Sequence, residues 1–89
     1  DARYYFDQAR ALSNLPQSDA AEIRRLYEKA IEMEPGFYAA LREYGMFLCE
    51  RKDYFKAKAF LERALAICPN AEEEKAIQSR LALIHQNTK

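Results

Sequence analysis

Apolar residues recur along the chain at the three- and four-residue spacing of amphipathic helices. In the first segment, for example, Tyr5, Ala9 and Leu12 fall on one helical face. The apolar segments are separated by short stretches that carry proline, glycine, serine or asparagine, which are typical of turns. The pattern therefore predicts five helices, over residues 1–15, 19–34, 37–51, 54–68 and 71–86.

Polar residues at the ends of these segments predict where the helices begin. Ser18 or Asp19 is placed to cap the second helix, and Glu22 is placed to complete a capping box. Asp53 is placed to cap the fourth helix. The fifth helix opens with the glutamates 72–74, in a first turn where the helix dipole favours acidic side chains.

Two nine-residue stretches nearly repeat each other. Residues 27–35 read YEKAIEMEP, and residues 61–69 read LERALAICP. Glu, Ala and Pro stand at the same offsets, so that Pro35 and Pro69 lie 34 residues apart. A fixed period of this length indicates stacked helical repeats.

The stretch 38–70 resembles a tetratricopeptide repeat, a 34-residue pair of helices. Gly45, Ala57, Ala64 and Pro69 match the small-residue and proline positions of that family. The large positions differ in identity but stay apolar or aromatic. The resemblance thus implies an all-α fold, an antiparallel helix-pair solenoid of about two and a half repeats and five helices.

The same resemblance implies one domain over residues 1–89. In this frame the first repeat is degenerate, because it carries about two extra residues in its inner turn. The parts are a degenerate repeat at 1–35, a well-matched repeat at 36–70, and a half-repeat or capping helix at 71–89.

Gly45 interrupts an apolar pattern that continues through Phe47 and Leu48. A glycine inside a helix costs about 1 kcal/mol relative to alanine, so its presence needs a packing reason. We expect Gly45 to face a partner helix at a close crossing, where a larger side chain would force the two helices apart.

The charge balance excludes several classes of partner. The chain of 89 residues has 14 basic and 14 acidic residues, which gives no long-range attraction to nucleic acid or to an anionic membrane. No apolar run is long enough to span a bilayer, so we expect no membrane insertion. The chain opens on Asp1 rather than Met, which we interpret as a processed chain or an excised segment. We expect a cytoplasmic location.

The two cysteines, Cys49 and Cys68, lie on different predicted helices and form no CxxC motif. We expect two reduced thiols, with Cys49 the more accessible. His85 is the single histidine, too few for a metal site with these cysteines. We therefore expect no metal and no cofactor.

Catalytic motifs are missing from the sequence. The serines have no histidine near them in sequence, there is no GxSxG motif, and the chain has two glycines, too few for a phosphate-binding loop. We interpret the closely spaced glutamates 32/34 and 72–74 as solvated charges on helix surfaces. We therefore expect that the protein is not an enzyme.

The resemblance implies that the first helix of each pair lines a concave groove. In the family register Phe6, Met46 and Ile77 give this groove an apolar floor, and its arginines suit carboxylate recognition. An alternative is that its arginines and acids pair with one another as i, i+4 surface charges. The predicted partner-binding residues are Arg3, Phe6, Arg10, Ala39, Arg42, Glu43, Met46, Cys49, Glu50, Ile77 and Arg80.

These features favour a non-catalytic protein–protein interaction module, part of a larger protein or assembly, that binds a peptide or partner segment in the groove. The alternative is a structural scaffold segment that extends a helical array or self-associates weakly through its terminal helices. Apolar residues suited to that role are Tyr4, Phe6, Leu83 and Ile84.

Two other family roles fit poorly. An RNA-processing helical repeat is disfavoured by the neutral charge balance. The carboxylate clamp of some tetratricopeptide repeat domains uses Lys and Asn, whereas the corresponding stripe here carries Phe6, Asp7, Arg42 and Glu43.

Overall fold

The computed structural model describes residues 1–89 and contains five α-helices and no strand. This confirms the predicted all-α class and all five predicted helices. The observed ends of the helices differ from the predicted ends by at most two residues. After α1 and α4 the backbone continues for about one turn with i→i−3 hydrogen bonds, and these residues are not counted as α-helix. The helices are α1 (Ala2–Ser13), α2 (Ala20–Met33), α3 (Tyr38–Glu50), α4 (Tyr54–Ala66) and α5 (Ala71–Asn87).

Of the two residues predicted as possible caps of α2, Asp19 is the one that caps it. Its carboxylate accepts a hydrogen bond from the Ala21 backbone N–H at 2.9 Å. Ser18 instead holds the end of α1, because its hydroxyl donates to the Leu12 carbonyl oxygen at 2.6 Å. The Glu22 carboxylate accepts two hydrogen bonds from the Arg25 guanidinium, and this interaction lowers the pKa of Glu22.

The cap of α4 differs from the prediction. Asp53 occupies the capping position, but its side chain makes no capping hydrogen bond. The residue before it, Lys52, has a left-handed φ of 65°, and Asp53 itself lies outside the extended region in which capping residues usually sit. At α5 the cap is Asn70, whose side chain accepts a hydrogen bond from the Glu73 backbone N–H at 2.9 Å.

The chain divides into two compact units, residues 1–40 and 41–89. In the first unit α1 and α2 pack against each other around the ring of Phe6, which is 1% exposed. The ring centroid of Phe6 lies 5.0 Å from that of Phe37 and 6.4 Å from that of Tyr27. Aromatic pairs at these separations add to the stability that burial provides. The other buried apolar residues of α1 and α2 are Ala2, Ala9, Ile23, Leu26, Ala30 and Ile31.

In the second unit α3 and α4 form an antiparallel pair. The rings of Tyr44 and Phe60 lie 4.8 Å apart, and Gly45 lies against Leu61. The first contact is centred in sequence on Lys52 and the second on Asp53, as expected for a helical hairpin that turns at these residues. The inward face of α3 consists of four buried residues at helical spacing: Leu41, Tyr44, Gly45 and Leu48.

Gly45 lies at a close helix crossing, as predicted. A Cβ atom built on Gly45 would lie 2.6 Å from the Leu61 Cγ and 3.3 Å from the Leu61 backbone nitrogen. Leu61 is itself fully buried, so it has little freedom to move aside. The packing reason for the glycine is therefore the contact with α4.

The fifth helix packs on α4 through one apolar face, with Ile77 and Ile84 buried and Leu81 partly buried. The sequence pattern predicts the same face, because Ile77, Leu81 and Ile84 recur at helical spacing. None of the five helices combines the length and apolar content needed to cross a bilayer.

Candidate interaction faces

In the second unit, charged and apolar side chains share one face of α3, next to the buried residues of that helix. Arg42, Glu43 and Met46 lie on this face, and all three are partly exposed. Arg42 and Met46 are one helical turn apart, so a charged group and a flexible apolar side chain stand side by side. Glu50 is exposed at the end of the helix.

Arg42 links α3 to α5. Its Nε lies 3.2 Å from Glu73 Oε1, and its Nη2 lies 3.5 Å from Glu43 Oε2. The Nε–H is nevertheless buried without a hydrogen-bond partner, because its contact with Glu73 has the distance of an ion pair but not the direction of a hydrogen bond. The guanidinium is thus held between two carboxylates without using all of its five donors.

Arg80 lies on α5 and is partly exposed, one turn beyond Ile77. Ile77 itself is 0% exposed, so it belongs to the core and not to an apolar floor. Its burial follows from the close contact of α5 with α4. Glu73 and Arg80 remain the polar members of this part of α5.

The prediction that Cys49 is the more accessible thiol is wrong. Cys49 is 4% exposed, whereas Cys68 is partly exposed and its Sγ donates to the Asn70 carbonyl oxygen at 3.4 Å. The buried arc of α3 is wider than the inward face described above and also includes Cys49 and Ala40. Both cysteines are free thiols, as expected.

The first unit carries its own polar face on α1. Arg3 and Arg10 are exposed, and their guanidinium carbons lie 5.6 and 5.5 Å from the centroid of the Phe6 ring. Phe6 is buried, so this predicted floor residue does not present its ring to a partner. The cations that flank the ring remain accessible. Ala39, in the first turn of α3, is partly exposed.

The alternative prediction, in which arginines and acidic residues of the groove pair with one another, is confirmed in part. Arg3 and Asp7 form an i, i+4 ion pair at 3.4 Å, as that alternative predicts. Arg42 pairs instead with its sequence neighbour Glu43 and across helices with Glu73. The Arg3–Asp7 pair is exposed, so it contributes little to stability and these two charges can exchange partners at small cost.

No group of three or more histidine, cysteine, aspartate or glutamate side chains is placed to hold a metal ion.

The sequence matches a family model described as tetratricopeptide repeat over residues 14–81. The chain belongs to the tetratricopeptide repeat family. Repeats of this family generally mediate protein–protein interactions, and the family is typically a non-catalytic interaction module. The matched span begins just after α1 and continues into α5. No solved structure matches the chain.

The sequence does not predict two of the contacts that shape these faces of the tetratricopeptide repeat chain. One is the packing of Phe37 on Phe6, and the other is the ion pair between Glu73 and Arg42. Phe37 stands directly after Pro35 and Gly36, and an aromatic residue between a turn and a helix was the available signal. The link from Glu73 to Arg42 had no such signal, because it joins two helices that are remote in sequence.

Proposed function

We propose that the chain is a non-catalytic interaction module that binds a peptide of mixed charged and apolar character through the α3–α5 face. This face consists of Arg42, Glu43, Met46, Glu73 and Arg80 in the second unit. The observation that carries the proposal is Arg42, a partly buried guanidinium between two carboxylates with an unsatisfied Nε–H.

The geometry of Arg42 favours exchange with a partner. An arginine that forms a bidentate pair with a carboxylate makes short, aligned hydrogen bonds, whereas the contacts of Arg42 are 3.2 and 3.5 Å long. A partner carboxylate or backbone carbonyl could therefore improve the hydrogen bonding of this side chain. Met46, one turn away, would contact the apolar part of the same partner.

The test is selection from a random peptide library followed by measurement of affinities. We expect peptides with an acidic residue next to an apolar one, and a loss of affinity of at least about tenfold, or 1.4 kcal/mol, for Arg42→Ala and for Met46→Ala. Lys75→Ala is the matched control, because Lys75 is an exposed base on α5 away from this face.

Circular dichroism spectra of the variants should match the parent. Peptides that bind both variants as tightly as they bind the parent chain would contradict the proposal. The wider groove, with Arg3 and Arg10 as further contacts, remains a prediction, as do the limits of the repeats and the cytoplasmic location.

A second candidate function is structural: the chain extends a helical array or self-associates. The observation that favours it is Leu83 on the last helix, a large apolar side chain that is 47% exposed. Tyr4 is exposed on α1 in the same way. Phe6 and Ile84, which were also expected to serve this role, are buried.

A further inference from the structure

Phe55 is an apolar side chain with no packing role in its own chain. It is the second residue of α4, and 88% of it is exposed, the largest fraction among the exposed large apolar residues. A single exposed apolar residue is common on protein surfaces and carries no inference by itself. What matters is which side chains surround Phe55.

The surroundings of Phe55 are basic. Between Glu50 and Lys58 the chain has four basic residues and two acidic ones, although its overall formal charge is zero. Arg51, Lys52 and Lys58 are exposed. The residues outside this segment therefore carry a net negative charge, and the positive charge is concentrated near Phe55.

These groups lie close together along the chain, within residues 51–58. Lys58 follows Phe55 by one helical turn and shares its exposed face. Lys52 lies in the turn before α4, with a left-handed φ of 65°. The Arg51 guanidinium lies 5.3 Å from the ring centroid of Phe47 and stays exposed at the surface. We call this surface the basic–aromatic turn: Arg51, Lys52, Phe55 and Lys58.

We propose that the basic–aromatic turn adsorbs to a bilayer with anionic headgroups, with the Phe55 ring at the headgroup boundary. Basic side chains near such a surface each strengthen binding about fivefold, and aromatic rings favour the interfacial region. A headgroup layer can surround a ring that is 88% exposed without a preformed cavity, whereas an acidic polypeptide would need a pocket.

This inference does not depend on the α3–α5 face, which uses other residues. The neutral charge of the whole chain means that attraction is confined to short range. We therefore expect adsorption to be weak and to be lost at high salt.

The absence of tryptophan from the chain makes a direct test possible. Phe55→Trp places a single tryptophan in the basic–aromatic turn, and Tyr4→Trp places one at an exposed control site on α1. We expect a blue shift of Trp emission for Phe55→Trp with vesicles of phosphatidylcholine and phosphatidylserine in equal parts. Vesicles of phosphatidylcholine alone should give no shift, and Tyr4→Trp should give none with either.

Charge variants in the Phe55→Trp background test the role of the lysines. Lys52→Gln with Lys58→Gln should lower vesicle partitioning about 25-fold, which is about fivefold for each base. Lys75→Gln with Lys89→Gln removes the same charge from exposed positions elsewhere and should change it far less. Circular dichroism checks that each variant is folded.

Three results would overturn the proposal. One is no emission shift with the anionic vesicles, and another is an equal loss for the two lysine pairs. The third is a shift caused by soluble polyglutamate but not by vesicles, which would assign the turn to an acidic polypeptide.

Discussion

At Gly45 the spacing between α3 and α4 leaves no room for a side chain, because a Cβ atom would come within 2.6 Å of the Leu61 side chain. We expect Gly45→Ala to destabilise the fold by about 1–3 kcal/mol through overpacking, despite the better helix propensity of alanine. The measurement is the free energy of unfolding in urea.

Gly36 provides the matched control for Gly45. No atom lies within 4 Å of a Cβ built on Gly36, and its φ is not positive. Gly36→Ala should therefore be neutral or stabilise by up to about 1 kcal/mol, through the reduced entropy of the unfolded chain. Equal effects of the two substitutions would show that the crossing at Gly45 is looser than described.

The thiol of Cys68 should react faster with a thiol reagent than the thiol of Cys49. Cys49 is 4% exposed and should react with a thiol reagent only when the protein opens locally, whereas Cys68 is partly exposed. The measurement is the rate of labelling of the Cys49→Ser and Cys68→Ser variants under native conditions. Faster labelling of the variant that retains Cys49 would mean that α3 is rotated.

At the scale of single helices, the capping hydrogen bonds differ between α4 and α5. Asn70 caps α5 through its side chain, whereas Asp53 makes no side-chain capping bond at α4. We expect Asn70→Ala to cost about 1 kcal/mol of unfolding free energy, and Asp53→Ala to cost less. Thermal unfolding of the two variants compares the sites, and a larger loss for Asp53→Ala would contradict the geometry.

At the scale of the whole molecule, two adjacent apolar residues of α5 differ in burial. Leu83 is 47% exposed and Ile84 is 2% exposed. Leu83→Glu should leave the fold intact, while Ile84→Glu should cost several kcal/mol because it buries a carboxylate in the apolar contact with α4. That cost is a large share of the roughly 5–13 kcal/mol that a domain of this size has.

The Leu83→Glu variant also tests self-association. We expect sedimentation of the parent chain to show weak, concentration-dependent association that Leu83→Glu abolishes. A parent chain that stays monomeric up to about millimolar concentration, or a Leu83→Glu variant that associates as the parent does, would exclude Leu83 as a contact. Ile84→Glu destabilises the fold itself and so is a poor probe of the interface.

The sequence alone determined the helices, their family and the small residue at the crossing. Helical periodicity, the proline spacing and the glycine inside an apolar run are local signals, and α1 to α5 with Gly45 follow from them. The tertiary structure decided which face residues are covered. Phe6, Cys49 and Ile77 are buried in the folded chain, and the Arg42–Glu73 contact joins helices far apart in sequence. The width of a buried arc and the partner of a side chain depend on how helices pack, which periodicity along one helix does not contain.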